Sequence, residues 1–532
     1  MTASDPRNGD TAAPSPSPPG GGETKPVLCT RPMIGIIGVL LGSIISTLSG
    51  RITSFGLADI RGAIHASVDE GAWINTAFTV GQMMMGPMSI WFGATFGPRR
   101  VLLISATVFT LLSVIVPFCT TVPAFMLLYF LGGLASGTFI PLTISFVLRN
   151  LPAQFAVYGV AAYAMNSELS QNISASIEGW LTEHWSWHWI FWQNAFITPL
   201  MMLCVWFGIP REPINYERLR SGSWSGLLFA SVGFSMIYAA LDQGNRLDWL
   251  NSGLVVGLLF GGTLLVLIFV ANELLSPNPF INLHYISTGN MPLLAVILIM
   301  FRFAVLSTAL IIPQYMTTIH NFRSLETGQV LLWIALPQFI LAPLIGKWLQ
   351  HGDARIPLAT GFALIGVACF MASMLTADWA SGDFLPSQIV QAVGQSFGFT
   401  ALVWLFAKHI RLSDVFTFGA FVQTMRLFGG ELGLAFMQTF LRVREQVHSH
   451  LIGLHVEAGE RLTDSRLADL SAMVAANSVD QTEASARATG LLARAVQQQA
   501  YVLSYVDGFI IVGISIIGCL VLIALLRDPP QR

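Results

Sequence analysis

The chain is a succession of apolar runs separated by short polar breaks. Fourteen runs reach about 20 residues or more, the length that crosses a bilayer as a helix. They lie near 33–57, 72–93, 100–119, 122–148, 153–181, 187–209, 223–242, 252–274, 290–315, 328–349, 356–377, 384–408, 414–440 and 502–526. An even number of spans puts both termini on one side. One run does not stay apolar. The fifth starts blandly at Ala156 and then carries Asn166, Ser167, Glu168, Ser170, Gln171, Asn172, Ser174, Ser176 and Glu178. At helical spacing Glu168, Gln171, Asn172 and Glu178 share one face. A carboxylate at membrane depth costs about 2.5–3.5 kcal/mol on insertion scales, so this stripe is expected to face a protein-lined, wet cavity.

One connection is long. Residues 441–501 hold Leu462, Leu467, Leu470, Met473 and Val474, then Leu491, Leu492 and Val496, interrupted at Ser478–Thr482. This predicts a pair of amphipathic helices forming a hairpin on the outer face. Residues 1–32, rich in Pro, Gly, Ser and Thr, read as a disordered tail rather than a secretory signal.

Composition excludes most alternatives. Of 532 residues 54% are apolar and only 11% are charged, with mean hydropathy +0.64. A soluble protein of that size could not cover its surface. The net charge of −2 and dispersed basic residues give no nucleic-acid signal. Five separate cysteines form neither a disulfide framework nor a metal site. With the N-terminus cytoplasmic, short inner connections carry Arg99, Arg100, Arg149, Arg211, Arg218, Arg220, Lys347, Arg355, Lys408 and Arg411. The short outer ones carry Arg61, Arg246 and Arg323. Ten against three places both ends in the cytoplasm. No Gly-x-x-x-x-Gly-Lys-Ser/Thr loop, nucleophile elbow or His-Glu-x-x-His motif is present, so ATP-driven transport and hydrolytic chemistry have no support.

The candidate functional residues are the polar ones at membrane depth. Glu168, Glu178 and Glu431 are candidates for proton coupling, because a carboxyl in the membrane can take up and release protons. Arg51, with Thr47 and Ser54 on its face, reads either as an anion contact and counter-charge to Glu168 or as an arginine snorkelling outward. Gln171, Asn172, Arg302, Arg426 and Gln423 complete the candidate cavity set. His448, His450 and His455 lack the partners of a metal site, and no metal or cofactor is expected.

Four local sequences stand out: Trp187-His188-Trp189-Ile190-Phe191-Trp192-Gln193-Asn194, Leu241-Asp242-Gln243-Gly244-Asn245-Arg246-Leu247-Asp248-Trp249, Met425-Arg426-Leu427-Phe428-Gly429-Gly430, and the stretch from Gln497-Gln498-Gln499-Ala500 to Asp507-Gly508-Phe509. Together they resemble the fourteen-span drug:proton antiporters of the EmrB/QacA type in the major facilitator superfamily. The resemblance covers about 33–532. It implies an all-α integral membrane protein of the major facilitator fold with 14 transmembrane helices. The organisation it implies is a tail (1–32), an N-terminal six-helix half (33–209), a linker with an inserted helix pair (210–275), five helices of the C-terminal half (276–440), the outer loop (441–501) and the last helix (502–532). The chain also departs from the family. The usual Gly-x-x-x-Asp-Arg-x-Gly-Arg-Arg loop reads Gly93-Ala94-Thr95-Phe96-Gly97-Pro98-Arg99-Arg100, keeping Gly97, Arg99 and Arg100 as the gating loop without the acid. Leu48-Ser49-Gly50-Arg51 replaces an acidic motif in span one, and Tyr129-Phe130-Leu131-Gly132-Gly133 lacks the family arginine of span four. Ser174–Gly179 replaces the Gly-Pro-rich motif of span five.

The function implied is secondary active efflux of amphipathic organic compounds, of drug or organic-acid type, by proton antiport across a bacterial inner membrane. The outer loop suits docking to a periplasmic adaptor and outer-membrane channel. Three intramembrane arginines favour anionic substrates, and Arg51 is expected to pair with Glu168. The lost span-one acid and span-four base motivate an alternative, a proton-independent organic-anion exchanger or facilitator. A non-transporting membrane partner or sensor is the alternative of another class.

Overall fold

The computed structural model describes residues 30–217, 224–276, 287–410, 415–457, 459–475 and 481–527. The expected tail up to residue 29, together with Arg218, Arg220, Arg411 and most of the Ser478–Thr482 break, lies outside the described residues. The described part is all-helical. The long helices are α1 (Thr30–Phe55), α2 (Val68–Phe96), α3 (Pro98–Ile115), α4 (Val122–Asn150), α5 (Ala153–His184), α6 (Trp189–Gly208), α7 (Trp224–Gly244), α8 (Gly253–Leu275), α9 (Met291–His320), α10 (Ser324–His351), α11 (Arg355–Ala372), α12 (Leu385–Lys408), α13 (Val415–Gly453), α14 (Arg461–Ala475) and α15 (Gln481–Ala524).

Among the described residues eleven helices are long and apolar enough to cross a membrane. Of the other long helices, α2, α5 and α13 carry polar side chains along the bundle interior. Buried apolar residues fall mainly into two clusters. One runs from Ile36 to Ile209 and the other lies chiefly between Met291 and Leu526, so each half of the chain has its own core. The α7/α8 pair is a separate unit held by close backbone approach, in which a Cβ on Gly262 would meet the Gly233 carbonyl at 2.9 Å. Through α7 this pair packs against both α2 and α13. It therefore bridges the two halves.

The halves meet elsewhere along two further contacts. Near the C-terminal end of α5, a Cβ on Gly179 would stand 2.4 Å from the Leu325 nitrogen, and one on Gly328 would stand 2.6 Å from the Ser176 nitrogen. Toward the opposite end, α4 and α13 close on each other, with the Ser145 hydroxyl donating to the Val415 carbonyl at 3.0 Å.

The loop 441–501 differs from the expected two-helix hairpin. Nothing in the sequence stops α13 at the membrane boundary; no Gly or Pro occurs from Glu431 until Gly433, and none again until Gly453. The helix accordingly runs for 39 residues, about 58 Å at 1.5 Å per residue. The last helix, α15, runs for 44 residues, about 66 Å against a hydrocarbon thickness of about 30 Å. Both project from the same end of the bundle, with α14 packed on α15. Three helical segments thus fill the loop, two of them continuous with the flanking spans.

Candidate functional site

The interior holds a cavity of about 380 Å³ between the halves. Its walls come from α1, α2, α5, α7, α9 and α13. One wall is cationic, with Arg51, Arg302 and Arg426; the facing corner is acidic, with Asp242 and Glu431. Ser54, Asn75, Thr79 and Gln438 supply neutral polar groups. From Gln82, Gln171 and Arg426 the cavity extends toward the end carrying the helical extensions.

Local backbone chemistry explains where Arg51 goes. In α9 the carbonyl of Ala309 would normally accept from residue 313, but Pro313 has no N–H. A π-turn over Ser307–Ile311 interrupts the helix just there. The freed Ala309 carbonyl accepts from Arg51 Nη2 at 3.2 Å, linking α1 to the opposite half. The guanidinium also stacks over Phe55, 5.3 Å from the ring centroid. Arg426 donates to Gln423 Oε1 at 3.2 Å and to Ser167 Oγ at 3.3 Å. Arg302 Nε and Nη1 have no hydrogen-bond partner among the described residues. The cationic wall therefore keeps unused N–H donors, the groups that recognise carboxylates.

The expected Arg51–Glu168 pair is not formed. Arg51 faces α9, whereas Glu168 points away from the cavity into a small void lined by Gln338, Gln395 and Thr400. It is 1% exposed, and neither carboxylate oxygen has a hydrogen-bond partner among the described residues. The charges acting on it are those of Arg302 and Arg426. Sequence proximity within one half misassigned the partner because the arginines that matter come from α9 and α13.

The remaining candidates divide cleanly. Thr47, Ser54, Gln171, Arg302, Arg426 and Glu431 line the cavity with Arg51. Asn172 does not; its amide donates to the Glu168 carbonyl at 2.9 Å. Gln423 lies behind the wall beside Arg426. Glu178 is buried near the tight α5–α10 contact, interacting with Ser324 and Thr182. Gly97, Arg99 and Arg100 stand far off, at the turn between α2 and α3. There Gly97 adopts φ 81°, a conformation glycine tolerates, and a Cβ on it would meet Glu212 at 3.1 Å. Arg99 stacks on Trp206 at 4.8 Å, and Arg149 reaches Glu212 at 3.5 Å. An acid is thus supplied beside this turn by the segment after α6 rather than at Ala94.

Two titratable residues in the cavity escaped the sequence reading, Tyr238 and Asp242. They sit four apart on α7, hence on one face, but Asp242 fell within a motif noted only for its resemblance. The His448 ring meets Asp507 at 2.6 Å, in company with Arg444, while His450 and His455 are exposed. At the start of α2 the Ser67 backbone and hydroxyl hold the Glu70 carboxyl below the usual carboxylate range, completing a capping box.

Comparison with known proteins agrees with this architecture. The Major Facilitator Superfamily model matches residues 39–280. The fatty acid resistance protein FarB of Neisseria gonorrhoeae is 21% identical over 489 residues, covering 92% of this chain and 95% of that protein. The multidrug export protein EmrB of Haemophilus influenzae is 21% identical over 500 residues, covering 92% and 94%. Among solved structures, that of the human organic anion transporter MFSD10 superposes with a TM-score of 0.52 at 12% identity, covering 92% of this chain and all of that one. The all-helical fold, the apolar spans and these relatives describe a multi-pass membrane transporter, not an enzyme, similar over residues 39–280 to the major facilitator superfamily and along most of its length to EmrB-type members.

Proposed function

We propose that the chain is a proton-coupled exporter of amphipathic organic anions, with 14 membrane spans and both termini in the cytoplasm of a bacterial cell. The observation that carries this reading is the cationic wall of the cavity, where Arg302 keeps unused N–H donors beside Arg51 and Arg426. Apolar side chains such as Phe55, Leu306, Leu310 and Leu434 line the same space, which suits a carboxylate attached to a greasy body. Resistance to fatty acids in the FarB relative supports that substrate class.

Counting α2, α5 and α13 with the eleven apolar helices gives the fourteen spans. Coupling follows from competition. With the cavity empty, the Glu168 carboxylate neutralises Arg302 and Arg426 from behind the wall. A bound anion takes over that role, and Glu168 is then free to accept a proton. The projecting ends of α13 and α15 would face the periplasm and meet an adaptor protein and outer-membrane channel. The placement of Glu168 outside the cavity favours one second reading, gradient-independent anion exchange with Glu168 as a fixed counter-ion.

Proteoliposomes separate the two. A medium-chain fatty acid is expected to move against its gradient when a pH difference is imposed, and E168Q is expected to abolish that response. Transport of the fatty acid that ignores both the pH difference and E168Q would replace antiport with exchange. Transport of a lipophilic cation such as tetraphenylphosphonium, with the fatty acid ignored, would overturn the anion assignment.

A further inference from the structure

The acidic corner of the cavity is unexplained by anion export, since two carboxyls there would repel the cargo. We propose that Asp242 on α7 and Glu431 on α13, with Tyr238 between them, form a proton-binding site at the contact between the inserted helix pair and the C-terminal half. Its use in coupling rests on the exporter reading above; the existence of the site does not.

The geometry supplies three supports. First, Glu431 is 4% exposed and its Oε1 has no hydrogen-bond partner among the described residues, while the neighbouring hydroxyl is that of Tyr238. A carboxyl so placed, within the field of a second one, is cheaper with a proton held between the two than with both ionised. Second, among the described residues no cation forms an ion pair with either carboxyl, and the Arg246 charge acts on Asp242 only from beyond Gln243. From α7 the facing charge is Arg246, held off by Gln243; from α2 it is Asp69; from α13 beyond the cavity it is Arg442, near Asp248 at 4.0 Å; Arg51, Arg302 and Arg426 occupy the opposite wall.

Third, a hydrogen-bonded chain leads out. Asp242 Oδ2 accepts from the Thr76 hydroxyl and from Gln243 Nε2 at 2.9 Å. Gln243 Oε1 accepts from Arg246 Nε at 2.8 Å, and Arg246 Nη1 reaches Asp69 at 2.6 Å, at the exposed end of the bundle. A proton arriving at the Asp242 carboxylate makes it a carboxylic acid. Passage to Glu431 goes by way of the Tyr238 hydroxyl, which gives up its proton to one carboxyl as it takes one from the other and ends unchanged. No bond other than O–H forms or breaks.

The inserted helix, on this account, does more than join the halves. It brings a titrating group to the cavity that neither six-helix half contains.

The test uses the full chain in nanodiscs, with no substrate and no gradient. Infrared difference spectra across a pH titration are expected to show a protonated-carboxyl C=O band that is lost in E431Q, altered in D242N and restored in E431D. A band unchanged in both E431Q and D242N overturns the site. So does heat from Na⁺ binding that disappears in E431Q with no carboxyl band at any neutral pH, which would make the corner a cation site. In proteoliposomes, D242N and E431Q are expected to lower gradient-driven export by about 100-fold, the usual worth of a positioned proton-transfer group. Gradient-free counterflow of the same fatty acid is the paired readout: a fall as large as that of gradient-driven export would assign both residues to cargo binding rather than to proton transfer. If the wild type exports nothing while the infrared band behaves as expected, the exporter reading fails and the proton site stands.

Discussion

Two seams flank the cavity, and they are built on opposite principles. Where α5 meets α10, glycines bring backbone against backbone: Gly179 against Leu325 and Gly328 against Ser176. Glu168, farther along α5, stands in the field of two arginines from the other half. Where α7 and α2 meet α13, side chains mediate the contact: Tyr238 beside Glu431, and Gly86 facing only the Thr424 hydroxyl at 3.2 Å. The first seam has its acid in the field of two arginines; in the second, Glu431 has only the Tyr238 hydroxyl and another acid beside it among the described residues. A balanced carboxyl is a structural counter-ion until something competes for its partners. Two acids in each other's field are the proposed proton site. The lesson is that buried acids in one bundle should not be ranked by depth alone.

The comparison is broken most forcefully by removing an arginine. R302A leaves Glu168 with half its compensation, and the loss of one member of a buried charge pair costs about 3 kcal/mol or more. Thermal unfolding in detergent should show that loss, with E168Q restoring most of it and E431Q restoring none. Equal rescue by E431Q would mean that both acids answer to the same cation, and the two seams would collapse into one network.

The sequence made the helices legible because apolar length and Gly/Pro punctuation are local properties. The apolar runs are largely helix where residues are described, although the run 356–377 continues past the end of α11 at Ala372 into turn and coil. The ends of α13 and α15 were not legible as one piece with their spans, since hydropathy falls at the membrane boundary while the helix has no reason to stop. Arg51 could be picked out as a cavity residue, and it lines the cavity. Its contact could not, because the acceptor is Ala309, which is freed by Pro313 in a helix 258 positions away in sequence. Asp242 was hidden by position. One residue short of Gln243-Gly244, it looks like the polar end of a span, and only the packing of α7 on both α2 and α13 turns it inward.

The seams also differ in how much crowding they tolerate. G328A places a Cβ 2.6 Å from a backbone nitrogen that cannot rotate away, so α5 and α10 must separate. Overpacking of this kind costs about 1–3 kcal/mol, and transport should fall with the melting temperature. G86A meets only a threonine hydroxyl and should cost much less. Measured side by side, equal losses would show that the α2–α13 contact is as rigid as the α5–α10 contact.

The finest distinction lies within α5, between neighbours. Gln171 lines the cavity, while Asn172 turns one helical step away and holds the Glu168 carbonyl at 2.9 Å with Gln395 Oε1 at 3.5 Å. Both substitutions remove one hydrogen-bonding amide, worth about 1 kcal/mol in either setting. The energy should appear in different measurements. Q171A is expected to raise the KM for an anionic substrate about fivefold, the kinetic equivalent of that 1 kcal/mol, with unfolding unchanged. N172A is expected to lower the unfolding temperature and leave KM where it was. Reversal of the two outcomes would place the polar stripe of α5 on the other side of the helix, and with it Glu168 inside the cavity, where it would compete for substrate directly rather than from behind the wall.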